Sequence, residues 1–343
     1  MPISDNRKKT QLWPLWGWSL LLVLLLLTPL AAASFGAAQI GMLDVIHVLV
    51  KHGFDAGQVS SISDRIIWEL RLPRVLMAFT AGAGLALSGF VLQTVTRNPL
   101  ADPYLFGISA GASFGAVLVV TVAGGSLLAG LSLPLGAFLG ACLSVLLVLT
   151  LSGQRVTTQV ERMLLSGVAV SFMFGALTSL LLYFATPLAA QSLLFWTMGS
   201  FAQASWQTLW LPLTVVVVAL ALVLGQKRQL LAMLSGDETA HTLGVRVVKL
   251  RLSMLLLCSL ITATLVAHCG GIGFVGLMVP HIVRLFLPKQ QPILLTALVG
   301  GLFMVWVDVL ARSVLPSQEL PVGVITSALG SIFFLFVLKK RGQ

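Results

Sequence analysis

Along this chain Asp, Glu, Lys and Arg gather in short clusters, and the intervals between the clusters are long and apolar. Residues 13–35, 75–96, 103–154, 163–226, 252–283, 290–307 and 320–338 contain no Asp, Glu, Lys or Arg. A helix of about 20 apolar residues crosses the roughly 30 Å of a bilayer. On that measure the first two intervals each hold one span, and 103–154 and 163–226 each hold two. The last two intervals supply one apiece. Residues 252–283 are short for two full spans and contain Gly270-Gly271-Ile272-Gly273-Phe274-Val275-Gly276, ending in Pro280-His281, so a short or broken helix is expected there. The total is ten spans, all helical, because an open sheet cannot satisfy its backbone in lipid. Turn signals at Gly124-Gly125-Ser126 and Ser132-Leu133-Pro134 are expected to join the third and fourth spans.

Composition agrees with lipid as the main solvent. The 343 residues are 57% hydrophobic and 9% charged, against about 25% charged in soluble domains. The net charge of +10 would suggest nucleic acid in a soluble protein, but no basic face with interleaved aromatics is present. Its distribution instead orients the chain. With the N-terminus inside, sixteen of the 21 Lys and Arg face the cytoplasm, leaving only Lys51, Arg65, Arg71, Arg74 and Arg312 outside; that is the positive-inside asymmetry. Both termini are therefore expected on the cytoplasmic side. The apolar run after Arg7-Lys8-Lys9 exceeds the 7–15 residues of a signal core and is read as an uncleaved first span.

Smaller features subdivide this plan. Gly107, Gly111 and Gly115 recur every fourth residue, which lines one helix face for close packing. The segment 39–70 is amphipathic and is expected over the outer surface, and 186–205 is expected to carry a short helix at the outer mouth. The cytoplasmic segment 227–251 contains Ser235-Gly236-Asp237-Glu238, which has the form of a capping box, and Leu243-Gly244, a matching stop. A two-turn helix is expected between them, too short to stand alone and so docked on something. Gly89-Phe90-Val91 against Gly273-Phe274-Val275, and Gly167-Val168 against Gly323-Val324, hint at an internal repeat.

Catalytic chemistry is missing from the pattern. There is no GxxxxGK[ST] phosphate loop, no HExxH and no Ser/His/Asp set, so no catalytic residue is assigned. Cys142, Cys258 and Cys269 have no framework or zinc spacing, and no metal site is read. Asp308 and Arg312 lie four apart on one helix, as an ion pair would. His268 stands alone near the outer end of span seven, between a core role and a ligand contact.

Taken together, Arg71-Leu72-Pro73-Arg74, Gly89 through Gln93, Asn98-Pro99-Leu100-Ala101, Gly107-Ile108-Ser109-Ala110-Gly111, Leu165-Ser166-Gly167-Val168, Trp196-Thr197-Met198-Gly199-Ser200, Gly236-Asp237-Glu238 with Ala240 and Leu243-Gly244, Gly271 to Gly276 with Pro280-His281, and Glu319-Leu320-Pro321-Val322-Gly323 resemble the FecCD-type permeases of ABC importers for iron-siderophore, haem and cobalamin. The resemblance implies an all-α membrane protein of the type II importer architecture, forming one permease domain over residues 1–343, in the bacterial cytoplasmic membrane. It implies a second permease subunit, as a homodimer or close heterodimer, two cytoplasmic ATPase subunits that hold ATP and Mg, and a periplasmic or lipid-anchored substrate-binding protein. This chain itself would carry no cofactor. Ser235, Gly236, Asp237, Glu238, Ala240, Leu243 and Gly244 would meet the ATPase, and Arg71, Arg74 and Arg312 would dock the binding protein. Trp196, Met198, Gly199, Ser200, Gly167 and Gly323 would line the pathway or its gate. An ion-coupled secondary transporter, which also uses broken helices, is the competing reading; the absence of a mid-membrane carboxylate in the sequence pattern counts against it.

Overall fold

A computed structural model describes residues 15–36, 40–54, 61–123, 129–152, 160–287, 291–315 and 318–341. Arg7, Lys8, Lys9, Arg155, Lys289 and the turn signal at 124–126 lie outside them. The described residues form helices and connecting turns. In order these are α1 (Leu15–Ser34), α2 (Met42–Phe54), α3 (Ile62–Arg65), a π-helical turn (Ile66–Arg71), α4 (Leu72–Thr96), a 3₁₀ turn (Pro103–Phe106), α5 (Ile108–Ala123), α6 (Ala129–Ser152), α7 (Val160–Phe184) and α8 (Pro187–Thr197). There follow α9 (Trp206–Gly225), α10 (Lys227–Leu234), α11 (Asp237–Thr242), α12 (Val247–Cys269), α13 (Val275–Phe286), α14 (Ile293–Ser313) and α15 (Val322–Arg341). Seven helical stretches are long and apolar enough to cross a membrane, and three shorter apolar helices start at Ile108, Val275 and Val322. Each of the ten overlaps one of the intervals read as spans, but only seven of them are long enough to cross on their own.

Helix α4 is the axis of the bundle. Almost all of its residues are buried, whereas most of those in α7 are exposed or half-buried, so α4 is enclosed by protein and α7 sits at the rim. Small residues let neighbours approach α4 closely, as in lipid, where packing rather than hydrophobic exclusion holds helices together. Gly82 meets the backbone of Gly300 on α14, and Gly89 meets Gly276 on α13. Of the every-fourth glycines, Gly111 and Gly115 on α5 pack the same way against Gly140 and Gly136 on α6, whereas Gly107, at φ +70°, ends the preceding 3₁₀ turn and is not part of the helix face.

Three expectations are overturned here. Ser132-Leu133-Pro134 is not a turn but part of α6. Pro134 lies in the second turn of α6, where its missing N–H leaves the Gly130 carbonyl without its helical donor. The repeat fragments are not equivalent: Gly89-Phe90-Val91 lies within α4, whereas Gly273 and Phe274 lie in the break before α13, Phe274 with φ +68°. The capping box at Ser235 is not formed. Ser235 closes α10, and Gly236 with φ +110° starts α11 without a side-chain cap.

The segment read as outer is tied down by one buried carboxylate. Asp64 accepts from Lys51 Nζ at 2.8 Å and bonds His52 Nε2 at 2.7 Å. The His52 ring stacks on Trp68 at 4.3 Å, and Trp206 Nε1 donates to the Trp68 carbonyl at 2.9 Å. The expected short helix near the mouth is α8, capped by the Thr186 hydroxyl accepting from the Ala189 amide.

Candidate functional site

Three pathway segments read separately in the sequence converge at one junction. The Gly323 amide donates to the Met198 carbonyl, and the Val322 amide to the Gly199 carbonyl, both at 3.0 Å. The Ser200 amide donates to the Cys269 carbonyl at 2.9 Å. The C-terminal end of α8, the break between α12 and α13, and the start of α15 are thereby joined backbone to backbone. Gly199 sits at φ +79°, and a Cβ there would lie 2.5 Å from the Gly271 carbonyl oxygen. Only glycine meets both demands. Trp196 is half-buried beside this junction and Met198 is exposed. Gly167 does not belong to it: it packs against the Leu105 carbonyl, in the turn between α4 and α5. His268 binds its own helix, Nδ1 lying 2.9 Å from the Thr264 carbonyl.

The turn between α4 and α5 runs inward and holds a residue that the sequence pattern passes over. Tyr104 accepts the Ile272 amide on its hydroxyl at 2.9 Å, which links the turn to the α12–α13 break. Asp102 is buried; Oδ1 takes the Tyr104 amide at 2.8 Å, while Oδ2 has no hydrogen-bond partner among the described residues. Burial pushes the Asp102 carboxyl up to about 6, against the opposing pull of the Tyr104 amide. The Asp-Pro-Tyr order was visible, but nothing in it says that the turn is buried.

Arg71, Arg74 and Arg312 do come together, as a buried clamp rather than an exposed patch. Arg71 Nη1 donates to the Ala33 and Ser34 carbonyls at 2.6 and 3.0 Å; Arg312 donates to those of Ala32 and Phe35 at 2.8 and 3.0 Å. These carbonyls end α1, where a helix leaves acceptors unsatisfied and carries partial negative charge. Arg74 grips Asp308 through Nε at 3.0 and 3.1 Å and Nη2 at 2.8 Å, and reaches Glu319 at 2.9 Å. The expected Asp308–Arg312 pair is present at 3.3 Å, but Arg74 is the closer partner. One cluster thus fastens α1, α4, α14 and the approach to α15.

At the opposite face lies the segment read as meeting an ATPase. Ala240 is fully buried and anchors α11, while Leu243 is 67% exposed. The helix stops as expected: Gly244 lies at φ +80°, its amide bonds His241 O at 2.9 Å, and the Val245 amide bonds Ala240 O at 3.0 Å. That pair of bonds is the Schellman arrangement. Asp237 takes Arg251 Nη2 at 2.8 and 3.0 Å. This charge-assisted pair, stronger than a neutral cap bond, gives α11 the anchor that the capping box does not.

The sequence pattern of the FecCD transport family matches residues 20–340. The chain belongs to the FecCD transport family. Among similar FecCD proteins, the hemin transport system permease protein HmuU of Yersinia pestis is 37% identical, over 94% of this chain and 95% of its own. The cobalamin import system permease protein BtuC of Halobacterium salinarum is 40% identical, over 80% of this chain and 74% of its own. A solved metal-chelate type ABC transporter in an inward-facing conformation superposes with a TM-score of 0.78 at 33% identity, covering 93% of this chain and 97% of that one. As a FecCD protein the chain is a multi-pass membrane protein and a permease subunit of an ABC importer, with the all-helical type II architecture expected of it.

Proposed function

We propose that this permease moves a metal chelate of the iron-siderophore, haem or cobalamin class inward across the bacterial cytoplasmic membrane, with both termini inside. The observation that supports this best is the division of labour at α10 and α11: Leu230, Met233 and Ala240 are buried against the bundle, while Glu238, His241 and Leu243 face outward. A six-residue helix held from behind, with a bare leucine in front, suits docking of a second protein. That protein would be one of two ATPase subunits holding ATP and Mg, this chain being non-catalytic. A second copy of the permease would complete the pathway along its less buried helices. A binding protein would dock over the arginine clamp, where Arg65 and Glu319 reach solvent while Arg71 and Arg312 hold the surface in shape. The Met198–Gly199–Gly323 junction would then be the outer gate.

The test is Leu243→Asp. The variant would bury an uncompensated carboxylate in the interface, at a cost of about 3 kcal/mol or more, so co-purification with the ATPase should fall at least about tenfold, with the permease still membrane-inserted and monodisperse. Wild-type recovery of the ATPase with this variant would remove α11 from the interface.

A further inference from the structure

Resting on the reading that α11 meets an ATPase, we propose that Asp237 is the joint through which displacement of α11 reaches the buried helix α4, with Arg251 and Arg97 as its two arms.

The first arm starts at the end of α4. Val95 is in its last turn, where a helix leaves carbonyls without an amide partner, and the residue four further on, Pro99, has no amide to offer. Arg251, on the second turn of α12 and only 3% exposed, supplies the missing donor through Nε at 3.0 Å. The same guanidinium bonds both Asp237 oxygens, at 2.8 and 3.0 Å. A planar fork of donors holds its partners at fixed relative angles, which a lysine ammonium cannot do. The first residue of α11, the second turn of α12 and the last turn of α4 therefore move as one body.

The second arm is Arg97, whose Nη2 lies 3.3 Å from Asp237 Oδ1. Arg97 ends α4 in the left-handed conformation, at φ +52°, which costs a non-glycine residue about 1–2 kcal/mol. The ion pair helps hold that turn. Beyond it the chain runs directly into the inward turn: Asn98 Oδ1 accepts the Leu100 amide at 2.9 Å, and Tyr104 accepts from Ile272 in the α12–α13 break. Gly271 in that break and Cys269 at the end of α12 meet the Gly199–Gly323 junction. A continuous set of contacts thus leads from Asp237 to the proposed gate.

Energetic coupling of this kind is commonly about 1–3 kcal/mol. Wild-type and variant complexes, with ATPase and binding protein, are reconstituted in vesicles, and substrate taken up per ATP hydrolysed is measured with a panel of iron-siderophore, haem and cobalamin. Arg251→Lys keeps the charge but loses the fork, and should lower that ratio about tenfold. Arg97→Gln, at a half-exposed position where folding is not at risk, should lower it about threefold. The binding-protein concentration for half-maximal uptake should stay within about twofold in both, because the outer face is untouched. Ratios unchanged in both variants, or uptake and hydrolysis falling in parallel, would overturn the joint. A wild-type complex with no ATP-driven uptake of any of these chelates would instead overturn the permease reading, and the joint with it.

Discussion

Arg74→Ala is expected to lower stability by about 3–5 kcal/mol, the cost of leaving a buried charge without its partner. Asp308 is 1% exposed and takes three donor contacts from Arg74 at 2.8–3.1 Å, while its remaining partner, Arg312 Nε, is at 3.3 Å. Arg312 cannot simply turn to compensate, because its terminal nitrogens are bonded to the Ala32 and Phe35 carbonyls. The measurement is thermal unfolding in detergent. Arg74→Ala/Asp308→Ala should recover much of the loss, since it removes the stranded carboxylate as well as the arginine. Arg65→Ala, which breaks the exposed 2.8 Å pair with Glu69, should change stability by less than about 1 kcal/mol. A midpoint for Arg74→Ala equal to that of Arg65→Ala would show that the clamp is not structural.

Gly199→Val should reduce uptake about thirtyfold. The left-handed backbone costs a branched residue at least about 1–2 kcal/mol, and the new side chain meets the Gly271 carbonyl oxygen 2.5 Å from its Cβ. Relief requires separating α8 from the α12–α13 break, which strains the 3.0 Å bonds from Val322 and Gly323. Because these contacts lie at one end of the bundle, ATPase association through α11 should be unaffected in the same preparation. Uptake at the wild-type rate would mean that the junction does not have to hold its present shape for transport.

The sequence made most of the membrane plan legible because lipid leaves few choices. A run without charge long enough to cross is a helix, and 270–274 announces its break through glycines and through an interval too short for two spans. Gly244 was legible too, since a helix stop is a local matter of backbone conformation. The pairings that give the site its mechanics were not. Arg71 and Arg312 read as outward-facing because basic residues outside the membrane normally face water. What turns them inward is the set of α1 carbonyls about 40 residues away in one case and about 280 in the other. Asp237 read as part of a local cap because Arg251, its true partner, is 14 residues further on. Ala240 read as a contact for the ATPase, but its side chain points into the bundle and Leu243 is the one left bare. Each of these misreadings concerns the direction of a side chain, which a helix's register fixes only once its neighbours are placed.

ATP held by partner subunits is the driving force proposed for uptake. The most direct measurement is chelate accumulation in vesicles containing permease, ATPase and binding protein, with nucleotide and ion gradients varied independently. Uptake that requires hydrolysable ATP and persists after ionophores collapse the proton and sodium gradients is the predicted result. Uptake that follows an imposed ion gradient without ATP would contradict it and favour an ion-coupled carrier.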